Sequence, residues 1–178
     1  MRIFPSKDYK VKINKEQSFY DTSWKAWIKR NDSWYQGRYL LHMRYAEWYM
    51  NNGNSYLHLI GGAHLLIMKS IAWRLGYQIG INTLGFGVKF YHHGWCIVNS
   101  KAKIGKNVTL YPGVCIGQKS ETEVPVIGDN CFIGLSAKVM GKVRVGNNVT
   151  IAPNAVITHD IPDNCIVAGV PAKIIKMK

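Results

Sequence analysis

The sequence predicts a mainly β fold: a coil of short strands, each paired with the same place in the next turn, preceded by a small α-helical region. Three observations predict it. Large aliphatic residues recur every six places at Val98, Ile104, Leu110 and Ile116, and again at Ile127, Ile133, Val139, Val145, Ile151 and Ile157. A small or β-branched residue stands at the fifth place of nearly every repeat: Ala102, Val108, Val114, Cys131, Ala137, Val143, Val149, Ala155 and Ile161. Glycine often follows the anchor directly, at Gly105, Gly117, Gly128, Gly134 and Gly146.

A helix repeats its apolar face every 3.6 residues and a flat strand alternates. Neither gives one large apolar residue in six with a small one four places on. A coil of straight rungs and tight corners does, because the anchor points inward and the fifth residue also faces a narrow interior. Glycine suits corners where the backbone needs positive φ or a close approach. Backbone groups are then satisfied between turns. Each buried Ile or Val contributes roughly 1.5–3 kcal/mol of transfer energy. No turn buries its own anchors, so the turns are stable only as a stack.

In chain order, residues 1–20 carry charge without period and read as an irregular arm. Trp24–Arg30 is expected to form one or two helical turns. Over 36–50 the helical spacing of Tyr39, Leu40, Met43, Ala46, Trp48 and Tyr49 predicts a helix. Asn51-Asn52-Gly53-Asn54-Ser55 stops it, with Ser55 as the N-cap of the next. Residues 56–75 are apolar enough to raise a membrane span. However, His58, His64, Lys69 and Arg74 make a helix packed on other helices or lying on a surface the better reading, broken near Gly61-Gly62. These segments make an N-terminal region over 1–75, and the coil with its tail occupies 76–178. Ile79, Ile81, Leu84 and Val88 read as degenerate opening rungs. Between Ile116 and Ile127 the repeat is interrupted by Gln118–Pro125, a loop able to reach a neighbouring molecule. After Ile161, Pro162-Asp163-Asn164 is a turn, and the tail folds back along the coil.

The 178 residues carry 23 Lys and Arg against 10 Asp and Glu, a net charge of +13. So basic a chain favours an anionic partner. The basic residues are scattered, and no recognition motif or aromatic-basic array points to nucleic acid. A phosphorylated cofactor, an acidic glycan or peripheral contact with a membrane fits the charge. Cys96, Cys115, Cys131 and Cys165 form no C-x-x-C pair and read as reduced packing residues. Met1–Lys10 has no apolar run, so a cytoplasmic location is expected. His42, His58 and His64 lie in helical segments and read as packing or surface groups. No three histidines have metal-ligand spacing, and no metal site is expected.

The repeat, with its closing stretch Ala168-Gly169-Val170-Pro171-Ala172-Lys173, resembles the hexapeptide-repeat acyltransferases. The likeness is greatest to the serine acetyltransferase branch and to relatives that acetylate sugars of surface polysaccharides. It covers 76–178, and 34–75 in weaker form. It implies a left-handed parallel β-helix, against the usual right-handed crossover. It also implies acetyl-CoA as acyl donor and a homotrimer with sites between subunits. The family's general base is a histidine just ahead of the first regular rung. Alignment on Ile97-Val98-Asn99-Ser100 gives that place to His92, with His93 as runner-up or supporting partner. A neutral imidazole suits removal of a hydroxyl proton. The family's orienting acid falls at Tyr77, beside Gln78, and neither is a carboxylate. Tyr77, or Glu47 from the helices, is therefore the candidate for steering His92 or contacting the acceptor. The resemblance places cofactor contacts at Thr158, His159 and Lys173, with Leu135 and Pro153 along the same wall. Serine acetyltransferases carry a histidine, in an Asp-Arg-His-Pro context, at the interruption. Here Gln118–Pro125 has neither histidine nor arginine. The expected activity is acetyl-CoA-dependent O-acetylation of a sugar or polysaccharide-precursor hydroxyl. The alternatives are serine O-acetylation, or a non-enzymatic coil serving as a scaffold at a membrane surface.

Overall fold

Side-chain caps set the start of each N-terminal helix. Ser6 Oγ accepts from Tyr9 N–H ahead of α1 (Lys7–Gln17), and Ser23 Oγ accepts from Ala26 N–H ahead of α2 (Trp24–Ile28). Asn31 caps α3 (Asp32–Asn52) through Ser33 N–H, and Asn54 caps α4 (Ser55–Leu75) through Leu57 N–H. Each such cap is worth about 1 kcal/mol. The computed structural model describes residues 5–120 and 122–178. The chain divides into two compact units, Met1–Gly76 and Tyr77–Lys178.

Three expectations for the helical unit are corrected. The expected irregular arm contains α1, and its residues 1–4 lie outside the described part of the chain. The cap of α4 is Asn54 rather than Ser55. The glycine pair does not break α4: a Cβ on Gly61 would come within 3.0 Å of Tyr49 and Met50, so Gly61 lets α3 and α4 approach closely. Tyr39, Leu40 and Met43 of α3 and Leu57, Met68 and Leu75 of α4 form the apolar interior. No described helix is long and apolar enough to cross a membrane.

Two polar clusters complete this unit. Arg44 is 1% exposed and donates from Nε and Nη2 to Glu16 of α1 and from Nη1 to Glu47, each at 2.9 Å. His42 of α3 and His64 of α4 share a hydrogen bond, Nδ1 to Nδ1 at 2.9 Å, and the His64 ring stacks on Tyr45. Burial first, then His64 and Arg38, lowers the His42 pKa from 6.5 to about 4. A histidine whose folded value is depressed contributes stability above its unfolded value, and that stability is lost as pH falls towards the folded one. The melting midpoint is thus expected to fall between pH 7 and pH 4.5 more steeply in the wild type than in His42→Gln, as followed by circular dichroism at 222 nm.

The second unit contains short strands: β1 (Tyr77–Ile79), β2 (Lys89–Phe90), β3 (Cys96–Val98), β4 (Lys103–Ile104), β5 (Thr109–Leu110), β6 (Cys115–Gly117) and β7 (Val126–Ile127). They continue as β8 (Phe132–Ile133), β9 (Lys138–Met140), β10 (Arg144–Val145), β11 (Thr150–Ile151), β12 (Val156–Ile157), β13 (Cys165–Gly169) and β14 (Ala172–Met177). They form three sheets: β1-β3-β6-β9-β12, β4-β7-β10 and β2-β5-β8-β11-β13-β14. Every pairing is parallel except the closing β13–β14 hairpin, in which the tail folds back as expected. The unit is a parallel β-helix of five coils.

Register aligns the anchors in three internal columns. Ile79, Val98, Ile116, Val139 and Ile157 make the first. Leu84, Ile104, Ile127, Val145 and Ile161 make the second. Phe90, Leu110, Ile133, Ile151 and Val167 make the third. All are buried, as are the fifth-place residues, Cys131 among them. Two assignments change. Ile81 is only half-buried, and the opening coil is anchored by the aromatic Phe90 instead. Ile161 is an anchor opposite Val145, and Cys165 takes the small inward place after it. At the corner between the second and third sheets, Asn107, Asn130, Asn148 and Asn164 hold φ of 55°–58°. Asn tolerates that region, and here it forms side-chain rungs, Asn107 to Asn130 at 3.1 Å and Asn148 to Asn164 at 2.8 Å.

Candidate active site

From the third sheet to the first, the anchors of later coils stand six residues apart: Leu110 to Ile116, Ile133 to Val139, Ile151 to Ile157. In the opening coil the same step, Phe90 to Val98, takes eight. The two extra residues expand this one corner into Tyr91-His92-His93-Gly94-Trp95. His92 and His93 are exposed there, and Trp95 is nearly half exposed. His92 holds φ of 62° and Gly94 φ of 149°. The regular corners below need only one such residue each, Gly113, Ser136 or Asn154. Positive φ at a histidine is uncommon and is held here by the neighbouring rungs.

An aromatic column supports the expanded corner. Tyr91 stacks on Tyr111 at 5.2 Å with 9° between the planes, and Tyr111 meets Phe132 at 5.2 Å. The His92 ring stands edge-on to Tyr111 at 6.0 Å. Such contacts are worth about 0.5–1.5 kcal/mol each. Tyr111 and Phe132 escape a reading by aliphatic period. The available signal is that Tyr91 and Tyr111 fill the place after the anchor, where the later coils put Gly134, Ala152 and Ala168. Cys96, immediately after the corner, points inward, and burial pushes its thiol up to about 12. It is a packing group rather than a nucleophile.

The corner continues as a straight edge. Backbone bonds link Gly113 N–H to Trp95 O, Ser136 N–H to Pro112 O and Asn154 N–H to Leu135 O, at 2.7–2.8 Å. His92, Leu135 and Pro153 therefore lie on one edge in the first, third and fourth coils. The fifth coil ends that edge at Ala168, and Lys173 pairs with Ala168 across the closing hairpin. At about 4.8 Å per coil, His92 and the Lys173 end stand about 19 Å apart. His92, Leu135, Pro153 and Lys173 are all exposed.

Thr158 and His159 do not join that line. They lie at the corner between the first and second sheets, with Asn99 and the interruption loop. Asn99 Nδ2 donates to Gln118 Oε1 at 3.0 Å, and Lys119 N–H to Glu123 O at 3.3 Å. Glu121 of this loop lies outside the described residues. The nine candidates thus separate into an edge headed by His92, a second edge with Thr158 and His159, and two residues that packing removes.

Those two are corrections. Tyr77 is buried in β1 with its ring 4.6 Å from that of Phe90, so it fills the mouth of the coil instead of facing an acceptor. Glu47 is buried and ion-paired to Arg44, whose charge neutralises it inside the helical unit. A carboxylate so committed is a structural member of that unit. No cluster of three or more metal-ligating side chains occurs among the described residues.

The family described as bacterial transferase hexapeptide (six repeats) matches residues 125–159. The chain is 36% identical over 91 residues to a serine acetyltransferase of Staphylococcus aureus, covering 49% of this chain and 43% of that one. It is 29% identical over 135 residues to that of Mycobacterium tuberculosis, covering 74% and 57%. Among solved structures, a serine acetyltransferase of Neisseria gonorrhoeae superposes with a TM-score of 0.68 at 20% identity, over 97% of this chain and 66% of that one. The Brucella abortus serine acetyltransferase in complex with coenzyme A gives 0.61 at 26% identity, over 78% and 55%. The hexapeptide-repeat resemblance, its serine acetyltransferase-like branch and the fold are borne out. The chain spans about half the length of the relatives it matches.

Proposed function

We propose that this hexapeptide-repeat chain, similar to the serine acetyltransferases, is an acetyl-CoA-dependent O-acetyltransferase with His92 as general base. The observation that carries the reading is the expanded corner. The corner departs from the period of the coil and carries an exposed imidazole, at the head of an edge that ends beside a lysine. His92 takes the proton from the acceptor hydroxyl as the oxygen attacks the thioester carbonyl. A backbone N–H holds the developing oxyanion. The thiol of coenzyme A leaves with the proton returned by the imidazolium. An extended donor laid along the edge has its reactive end at His92, and Lys173 serves a phosphate as a point charge. Thr158 and His159 lie on a different edge, so they meet the same donor only if a neighbouring copy presents that edge, as in a trimer.

Serine is the acceptor favoured by the similarity to serine acetyltransferases, and it replaces the sugar hydroxyl as the leading reading. The sugar reading keeps one observation in its support: residues 118–125 contain neither histidine nor arginine to hold an amino-acid carboxylate. A thiol-release assay with acetyl-CoA decides between them. Turnover with L-serine is the expected result. Turnover with hexoses or amino sugars and none with serine restores the sugar reading, and no release with any hydroxyl acceptor removes the enzyme reading.

A further inference from the structure

The outward face of α4 is apolar where a solvent-facing helix is ordinarily charged. Leu59, Leu66 and Trp73 are 74%, 69% and 91% exposed. At 100° per residue they form one stripe with Ala63, opposite the buried Leu57, Met68 and Leu75. Lys69 flanks the stripe on one side and Arg74 on the other, and α4 contains no acid. Acids are absent from the whole of residues 48–120.

A second feature adjoins the end of this stripe. Trp27, Ile28, Arg30, Tyr35 and Arg74 line an open cleft of about 410 Å³. The Arg74 guanidinium sits 5.0 Å from the centre of the Tyr35 ring and donates to Tyr35 Oη at 3.2 Å. Arg30 also lines the cleft and holds φ of 52° just after α2. Two arginines in a cleft lined by aromatic side chains suit a phosphate diester, and exposed Trp24, Trp27 and Ile28 extend the apolar area beside it.

We propose that this face of the helical unit docks on an anionic phospholipid bilayer, with Leu59, Leu66 and Trp73 entering the interface and Arg30 and Arg74 holding a lipid phosphate. Apolar residues flanked by cations and free of acids are the pattern of a helix lying in the interfacial plane. A second copy is the poorer occupant. A two-fold contact would set the basic flanks of two identical helices against each other, with no carboxylate on α4 to answer them. The inference stands independently of acetyl transfer, and none of these residues belongs to the candidate active site.

The test is co-sedimentation of the full chain with vesicles of phosphatidylcholine, with and without phosphatidylglycerol. Pelleting is expected with the anionic vesicles, and the Arg30→Ala/Arg74→Ala variant should bind roughly thirtyfold more weakly, from about 1 kcal/mol per basic residue. Leu66→Ser/Trp73→Ser should lose pelleting while retaining its helical circular dichroism. Should that variant misfold, quenching of wild-type tryptophan fluorescence by brominated acyl chains, diminished in Trp73→Phe, reads the same contact. Absence of pelleting by the wild type overturns the proposal. So does pelleting that both double variants preserve, or a loss of self-association in Leu66→Ser/Trp73→Ser with no vesicle binding in the wild type.

Discussion

Replacing His92 with Asn is expected to lower kcat by about 10²- to 10⁴-fold, the usual contribution of a positioned general base. Binding of coenzyme A, read by calorimetry, should change little. Asn is a better probe than Ala because it tolerates the left-handed backbone that His92 adopts at φ of 62°. It removes the base while leaving the corner in shape. His93→Ala should retain activity within about tenfold, the range of a supporting rather than a proton-accepting group. The reverse pattern, an active His92→Asn and an inactive His93→Ala, would move the base one residue along the chain. Tyr111→Leu separates positioning from chemistry. It removes the edge-on ring at 6.0 Å from His92 and the stack under Tyr91. It should lower kcat while leaving the pH profile in place, since the proton acceptor is unchanged.

How much of the coil is legible in the sequence follows from what its interior demands. A narrow prism admits one large and one small side chain per rung, so the period is imposed on every coil and shows in the letters. The reading failed where another residue type met the same demand. Phe90 fills an anchor place with an aromatic ring, whereas the aliphatic pattern points to Ile81 and Val88. Ile161 closes a shortened step after Ile157, and its size is right for either of two places. Recognising Phe90 as an anchor matters most, because only then does the eight-residue step to Val98 appear, and with it the reason His92 projects.

The candidate site was legible in part for the same reason. His92, Leu135 and Pro153 occupy equivalent corners of different coils, and a period of six carries that equivalence. Thr158 and His159 fall on another edge, which follows from the same period once the three columns are separated. Glu47 and Tyr77 were misread because a buried polar residue and an exposed one look alike in a sequence. What distinguishes them is a buried partner, Arg44 (itself bound to Glu16 of α1) in one case and the Phe90 ring in the other.

Arg44→Met is expected to destabilise the helical unit by about 3–5 kcal/mol, the cost of leaving buried charge without its partner. Arg44 joins α1 to α3 by two bonds to Glu16 at 2.9 Å, and its third bond to Glu47 ties the same cation within α3. Burial alone would lower its pKa, but the hydrogen bonds and charges of Glu16 and Glu47 outweigh burial and raise it. Tyr9 Oη also donates to Arg44 O at 2.8 Å, so α1 docks largely through polar contacts around one residue. This is why α1 shows no apolar period: Ile13 is the hydrophobic residue it buries. In Arg44→Met two carboxylates remain in the interior with no cation. Limited trypsin digestion reads the loss directly, since α1 carries Lys7, Lys10, Lys12 and Lys15 and is cut once it leaves α3. Glu16→Gln/Arg44→Met/Glu47→Gln should recover most of the protection by removing both stranded charges with the cation. If Arg44→Met is cut no faster than the wild type at pH 8, α1 is held by Ile13 and its apolar neighbours, and the triad contributes little.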